Sequence, residues 1–372
     1  MKRTIFISIP WFVPAYKAGG PIQSIKNLVT CFNANLNYKI FCGDSDVDKI
    51  KLNNIKCNQW ENFNQHTQVY YNSNKNNFTF IKYWKSNSNY DFLYIVGIYS
   101  FKFNILPLLF SPSKNKILSV RGMLHPGALS QKPFKKKLFL LFLNAIKIQN
   151  RVTFHATDET EKKYIKTIFG EKAKIRIANN YPQLNSTNCI TSKPKGELNL
   201  ISVALISRMK NHLLILKALK ECEGKIEYHI IGAIKDHDYW KLCLKEIDEM
   251  PKHIKVIYHG EKEPHEISDF LSKSQVSILP SMSENYGHAI IEAISAGKPT
   301  ITSHHTPWNH LEEKNVGFNV NLNLTELKNK IQFFVEQDNE EYQFYSKNAS
   351  EYANSIIDIN KINLAYSELF SI

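Results

Sequence analysis

Two carboxylates separated by seven residues, Glu284 and Glu292, and two cations two positions apart, Arg208 and Lys210, are the side chains whose types and spacing suggest chemistry. Gly287 stands between the carboxylates, where it lets backbone approach a ligand closely. The amides of His288 and Ala289 then open a helix as donors that no carbonyl inside the helix takes up. Amides that hold an anion, beside carboxylates that accept from hydroxyls, suit a ligand with phosphates at one end and hydroxyls elsewhere. A nucleotide sugar is such a ligand. Arg208 as a planar fork and Lys210 as a point charge, just ahead of a helix, suit a diphosphate. A plainer reading also fits this spacing, since carboxylates and lysines mostly sit in solvent.

The elements that must position these residues are legible around them. The apolar run 276–280 reads as a buried strand, and 300–302 as another. Between them Ala289, Ile290, Ala293 and Ile294 repeat on one helical face. Gly297 supplies a left-handed cap with Pro299 two residues on. The unit is strand, loop, helix, strand, with the loop at the carboxyl edge where open α/β sheets bind ligands. A second strand, 198–203, runs toward Arg208, and a helix over 212–219 follows Lys210.

In the form Glu284-Asn285-Tyr286-Gly287-His288-Ala289-Ile290-Ile291-Glu292, closed by Ala296-Gly297-Lys298-Pro299, the stretch resembles the signature of the retaining GT-B glycosyltransferases of family 4, glycosyltransferase group 1. The resemblance implies that Glu284 contacts the donor sugar and Glu292 the ribose. Asn285, Tyr286, Gly287, His288 and Ala289 would lie against sugar and phosphate. Arg208 and Lys210 would grip the pyrophosphate in place of a metal ion, so neither metal nor cofactor is expected. One departure stands out: Ala204 occupies the strand end where the family usually has glycine.

The N-terminal half carries weaker echoes of the same family. Gly19 and Gly20, between a first strand and a first helix, resemble its glycine loop and would face the donor phosphate. Arg121-Gly122-Met123, followed by His125, resembles the RGM turn of members that assemble polysaccharides. Arg121 and His125 are thereby acceptor-side candidates, with His125 joining Glu284, Arg208 and Lys210 as a catalytic candidate. Many members with that turn carry an acidic residue where His125 stands. The implied reaction moves a hexose from a nucleotide diphosphate sugar, UDP before GDP, to a hydroxyl of a lipid-linked or oligosaccharide acceptor in surface-glycan (O-antigen, lipopolysaccharide) assembly.

Composition bounds these readings. A chain of 372 residues exceeds one ordinary core, and 43% hydrophobic with 22% charged residues is a globular mixture. The formal net charge of +13 favours anionic partners. Its lysines read as dispersed, which places a non-catalytic lipid or nucleic-acid binder behind a transferase. A nucleotide-sugar epimerase of related fold is the other alternative. Six cysteines without any C-x-x-C pair point to a reducing compartment. His304, His305 and His310 cluster without a completing ligand set, so no metal site is expected there. No stretch of 18 apolar residues occurs, and the expected location is cytoplasmic, with possible peripheral contact on the inner face of the plasma membrane.

Strands alternating with helices predict two doubly wound, Rossmann-like α/β domains facing a central cleft, the GT-B arrangement. The expected boundaries are an acceptor-binding domain over 1–182, a linker over 183–197, and a nucleotide-sugar domain over 198–350. A helix over 351–372 would return to the first domain. Residues 50–90 read as short strands and loops. Residues 132–147 combine Lys132, Lys135, Lys136 and Lys137 with a dense apolar run, a pattern open to burial or to contact with a bilayer surface.

Overall fold

The computed structural model describes residues 2–17, 19–32, 36–130, 133–183 and 191–371, apart from the side chains of 264 and 265. The chain divides into two compact units, Met1–Tyr181 with Ile359–Ile372, and Pro182–Asp358.

In chain order the first unit runs β1 (Arg3–Ser8), α1 (Gly20–Cys31), β2 (Leu36–Gly43), β3 (Trp60–Asn64), β4 (Thr67–Asn72) and α2 (Asn77–Ser86). It continues with β5 (Phe92–Val96), α3 (Leu106–Phe110), β6 (Lys116–Ser119), α4 (Pro126–Leu129) and α5 (Pro133–Ala145). Then come β7 (Thr153–Ala156), α6 (Glu159–Phe169) and β8 (Ile175–Ile177). The sheet order is β3-β4-β2-β1-β5-β6-β7-β8, parallel except for the edge strand β3. Every residue of β5 is buried, as a continuous Phe-Leu-Tyr-Ile-Val run covered on both faces requires.

The second unit holds β9 (Glu197–Val203), α7 (His212–Lys220), β10 (Lys225–Ile231), α8 (His237–Asp248), β11 (Ile254–Tyr258) and α9 (Pro264–Lys273). It ends with β12 (Val276–Leu279), α10 (His288–Ser295), β13 (Thr300–Ser303), β14 (Gly317–Val320), α11 (Leu324–Glu336) and α12 (Asn339–Ile356). Its six strands are all parallel in the order β11-β10-β9-β12-β13-β14. Counted from β9 that order is 3-2-1-4-5-6, the doubly wound dinucleotide-fold order. Both units are thus Rossmann-like α/β layers.

Two segments differ from their sequence reading. Residues 50–90 contain the helix α2, whose Asn76 side chain accepts from the Phe78 amide at 2.9 Å and whose Phe80 and Trp84 are buried. Its apolar face is two residues long within an Asn-rich context, too short for periodicity to declare it. The return to the first unit begins at α13 (Ile359–Leu369), later than 351. The reason is that α12 buries Tyr342, Ala349 and Ala353 within the second unit, whereas α13 buries Tyr366 and Leu369 in the first. There Tyr366 stacks on Tyr181 with ring centroids 5.2 Å apart. Within the stretch read as a linker, 184–190 lies outside the described residues. Lys193 is buried, its ammonium donating to the Gln337 carbonyl at 2.7 Å.

Candidate functional site

The strand order of the second sheet reverses between β9 and β12, which pair in parallel through Val276 with Leu200 and Ser277 with Ile201. From β9 the chain leaves toward β10, and from β12 toward β13. Their two loops therefore diverge at the carboxyl edge and leave a crevice, the place where such sheets take ligands. The β9 loop carries Arg208 and Lys210; the β12 loop carries Glu284 through Gly287. The Met282 amide donates to the Met209 carbonyl at 2.8 Å, tying one loop to the other. Beneath the second loop Thr302 Oγ1 donates to the Leu279 carbonyl at 2.8 Å, and Ser303 Oγ to that of Ser281.

Glycine is needed at 232 rather than at 204. A Cβ on Gly232, at φ 146°, would sit 1.9 Å from the Ala204 carbonyl oxygen. The close approach of the two strand ends is thus made from the β10 side, and alanine fits at 204.

The charges converge across these loops. Lys210 Nζ donates to Glu284 Oε1 in an ion pair, and Ser281 Oγ donates to the same oxygen at 2.7 Å. The Glu284 amide donates to the His305 carbonyl at 3.1 Å, which holds the carboxylate's backbone to the loop after β13. Lys210 is 22% exposed and Glu284 10%, so this pair feels less solvent screening than a surface ion pair. Arg208 is 61% exposed; its Nε lies 3.5 Å from Asp236 and its guanidinium 5.5 Å over the Tyr239 ring. Asp236 and Tyr239 belong to the start of α8, so the cation's aim is set by a third element that its spacing from Lys210 did not reveal.

Gly287 is left-handed at φ 73° and caps α10. A Cβ there would stand 3.1 Å from Ile290 and 3.2 Å from the Trp308 indole nitrogen. That indole donates to the Tyr286 carbonyl and its ring meets the Tyr286 ring edge-on at 5.3 Å. Tyr286 also packs on His288 at 4.7 Å. Trp308 thereby fixes the loop that delivers the α10 amides, a role hidden in the sequence because it stands 22 positions from Tyr286. Asn285 is half-buried in that loop, and Ala289 and Glu292 are half-buried on α10, Glu292 one turn beyond His288 on the same face. Six of the second-unit candidates (Glu284 to Ala289) thus follow one another from loop into helix.

The N-terminal candidates have local structural roles. Gly19 caps α1 at φ 76°, a conformation that favours glycine, while a Cβ on Gly20 would meet nothing within 4 Å. Arg121, expected on the acceptor side, is buried instead. Its guanidinium donates to Asn180 Oδ1 and to the Tyr94 hydroxyl, the latter at 2.6 Å. Left-handed φ values at Arg121 and Gly122 reverse the chain after β6 and turn that side chain inward. The buried Glu161 accepts from the Gly122 amide and from Thr157, pinning the turn. His125 Nδ1 accepts from the Gly127 amide at 3.1 Å, and its ring meets Tyr164 edge-on. Capping α4 accounts for its place. Among the described residues no group of three or more His, Cys, Asp or Glu is arranged to hold a metal ion. Cys189 lies outside them.

Two buried imidazoles give the fold an acid limit. His155 bonds the Tyr94 hydroxyl at 2.6 Å and the Ala178 carbonyl at 2.8 Å; burial, then Arg121, holds its pKa at about 3. His212, first residue of α7, is fully buried with neither ring nitrogen hydrogen-bonded. Burial, then Lys210, holds it at about 3 as well. An unfolded chain takes up these protons near pH 6.5, so the unfolded state binds more protons at every pH between 6.5 and 3. Stability should therefore fall as pH drops through that window, by on the order of 3 kcal/mol per histidine by pH 4. Urea midpoints measured from pH 7 to 4.5 check this, and a flat profile contradicts it.

Residues 189–352 match the family model described as "Glycosyl transferases group 1", which covers most of the second unit. No curated protein matches the chain. Among solved structures, HepE from Anabaena in complex with UDP and glucose superposes with a TM-score of 0.73 at 16% identity, covering 100% of both chains. A sucrose-phosphate synthase from Thermosynechococcus elongatus gives 0.72 at 16% identity over 99% of this chain and 98% of that one. WaaG, a glycosyltransferase involved in lipopolysaccharide biosynthesis, gives 0.68 at 12% identity over 98% and 99%. The chain has the GT-B fold of these structures.

Proposed function

We propose that the chain is a group 1 glycosyltransferase that moves a sugar from a nucleotide diphosphate sugar to a hydroxyl of an acceptor glycan. The observation that carries this is the convergence of Lys210 and Glu284 from the two loops of the switch point, beside the α10 amides. The match of residues 189–352 to group 1 agrees with it. On this reading the second unit holds the donor and the first the acceptor. Arg208, Lys210 and the amides of α10 take the charge that builds on the leaving diphosphate, the task a metal ion performs elsewhere. Glu284 accepts from the sugar hydroxyls and Glu292 from the ribose. The donor is a hexose carried on UDP, and transfer to a lipid-linked acceptor retains the anomeric configuration. HepE, solved with UDP and with UDP-glucose, supports the choice of base.

A thermal-shift screen across UDP, GDP, ADP and their sugars tests this, since a ligand of the native state alone raises the melting temperature. UDP and one of its sugars are expected to shift it most. Glu292→Ala removes one hydrogen-bond partner of a charged group, about 1.5–3 kcal/mol, and is expected to weaken donor binding roughly 10- to 150-fold by calorimetry. Unchanged affinity takes Glu292 out of the site.

A further inference from the structure

From Phe92 to Thr157 the chain carries ten lysines and arginines and no aspartate or glutamate. The cations are about as dense here as along the rest of the chain, but with no acid among them the net positive charge is concentrated in this stretch. In the middle of that stretch lies α5. Leu140 and Leu143 face inward and are buried. Its opposite face presents Phe134 at 79% exposure, Leu138 at 61%, Leu141 at 57% and Phe142 at 47%. At about 100° per residue these four fall on one stripe roughly 100° wide. Lys135 and Lys137 are exposed and lie on either side of it at the first turn. Neither is in an ion pair among the described residues, whereas Lys136 turns back to donate to the Ala128 carbonyl at 2.5 Å. Four large apolar side chains on one helical face form a patch that soluble surfaces seldom leave to water. The sequence left burial and bilayer contact both open; the structure buries one side of the helix and exposes the other.

We infer that α5 docks the first unit on an anionic lipid bilayer, with Phe134, Leu138, Leu141 and Phe142 entering the acyl boundary and Lys135 and Lys137 at the headgroups. The aliphatic and phenyl stripe separates this from nucleic-acid binding, which uses cations with groove-reading or stacking groups rather than leucines. An apolar stripe bordered by lysines is the chemistry of an interfacial helix. None of the described helices is long and apolar enough to cross a membrane, so α5 lies on the surface rather than spanning it. The inference does not rest on the donor chemistry, and its test needs no substrate.

Co-sedimentation of the full chain with phosphatidylcholine vesicles, with and without 30 mol% phosphatidylglycerol, decides the matter. Binding is expected to the anionic vesicles and to weaken as salt rises. The double substitution Leu141→Asn/Phe142→Asn, at exposed positions, should leave the melting temperature unchanged and weaken binding at least tenfold. Lys135→Gln and Lys137→Gln should each cost about fivefold on anionic vesicles and nothing on neutral ones. No vesicle binding, or binding untouched by the Leu141/Phe142 pair, overturns the inference. So does salt-sensitive oligonucleotide binding, lost with Lys135 and Lys137, in a protein that ignores vesicles.

Discussion

Lys210→Ala is expected to lower kcat/KM for turnover of the donor sugar by about 10²- to 10³-fold, the effect of removing one preorganised charge from the place where negative charge develops. Lys210 is the more sheltered of the two cations, at 22% exposure against 61% for Arg208, and electrostatic interactions strengthen as water is excluded. The variant keeps its fold on this account, because Ser281 still donates to Glu284 and the Met282–Met209 backbone bond still joins the loops. UDP affinity should fall alongside the rate, since the same charge meets the diphosphate before and after transfer. A steady-state donor titration beside calorimetry with UDP measures both. Full activity in a folded Lys210→Ala protein contradicts the assignment.

Glu284→Gln separates two roles that one carboxylate plays. In this structure it neutralises Lys210; on the proposed reading it also accepts from the donor's sugar hydroxyls. Glutamine keeps the shape and removes the charge, so Lys210 is released from its partner. UDP, which has no transferable sugar, should then bind as tightly as before or tighter, while transfer falls by about 10²-fold or more. The opposite split, in which UDP affinity and rate fall together, makes Glu284 a holder of Lys210 and nothing else. The Lys210 and Glu284 effects will not add, because the two side chains touch.

Much of the second unit was legible because its signals are local. The strands at 198–203, 276–280 and 300–302 lie within one or two residues of β9, β12 and β13, and the helix between Gly287 and Gly297 is α10. Each is a short apolar run bounded by glycine, proline or a charged loop, which sequence alone displays. What tertiary contact decides was not legible. Trp308 shapes the Tyr286 loop from 22 residues away, and Asp236 aims Arg208 from the next crossover. Arg121 read as an acceptor-side candidate from the RGM turn, while a left-handed turn buries it against Tyr94 and Asn180. Glu161, in the first turn of α6, anchors that same turn through the Gly122 amide, a contact across 39 positions that no local spacing displays. The stripe on α5 needed the structure to show which half of an all-round apolar helix faces the core.

The most direct measurement is a crystal structure with UDP bound. The account predicts diphosphate oxygens within about 3 Å of Lys210 Nζ and of the amides that open α10, with the Lys210–Glu284 ion pair parted. A nucleotide seated away from the β9 and β12 loops, with that pair intact, contradicts it.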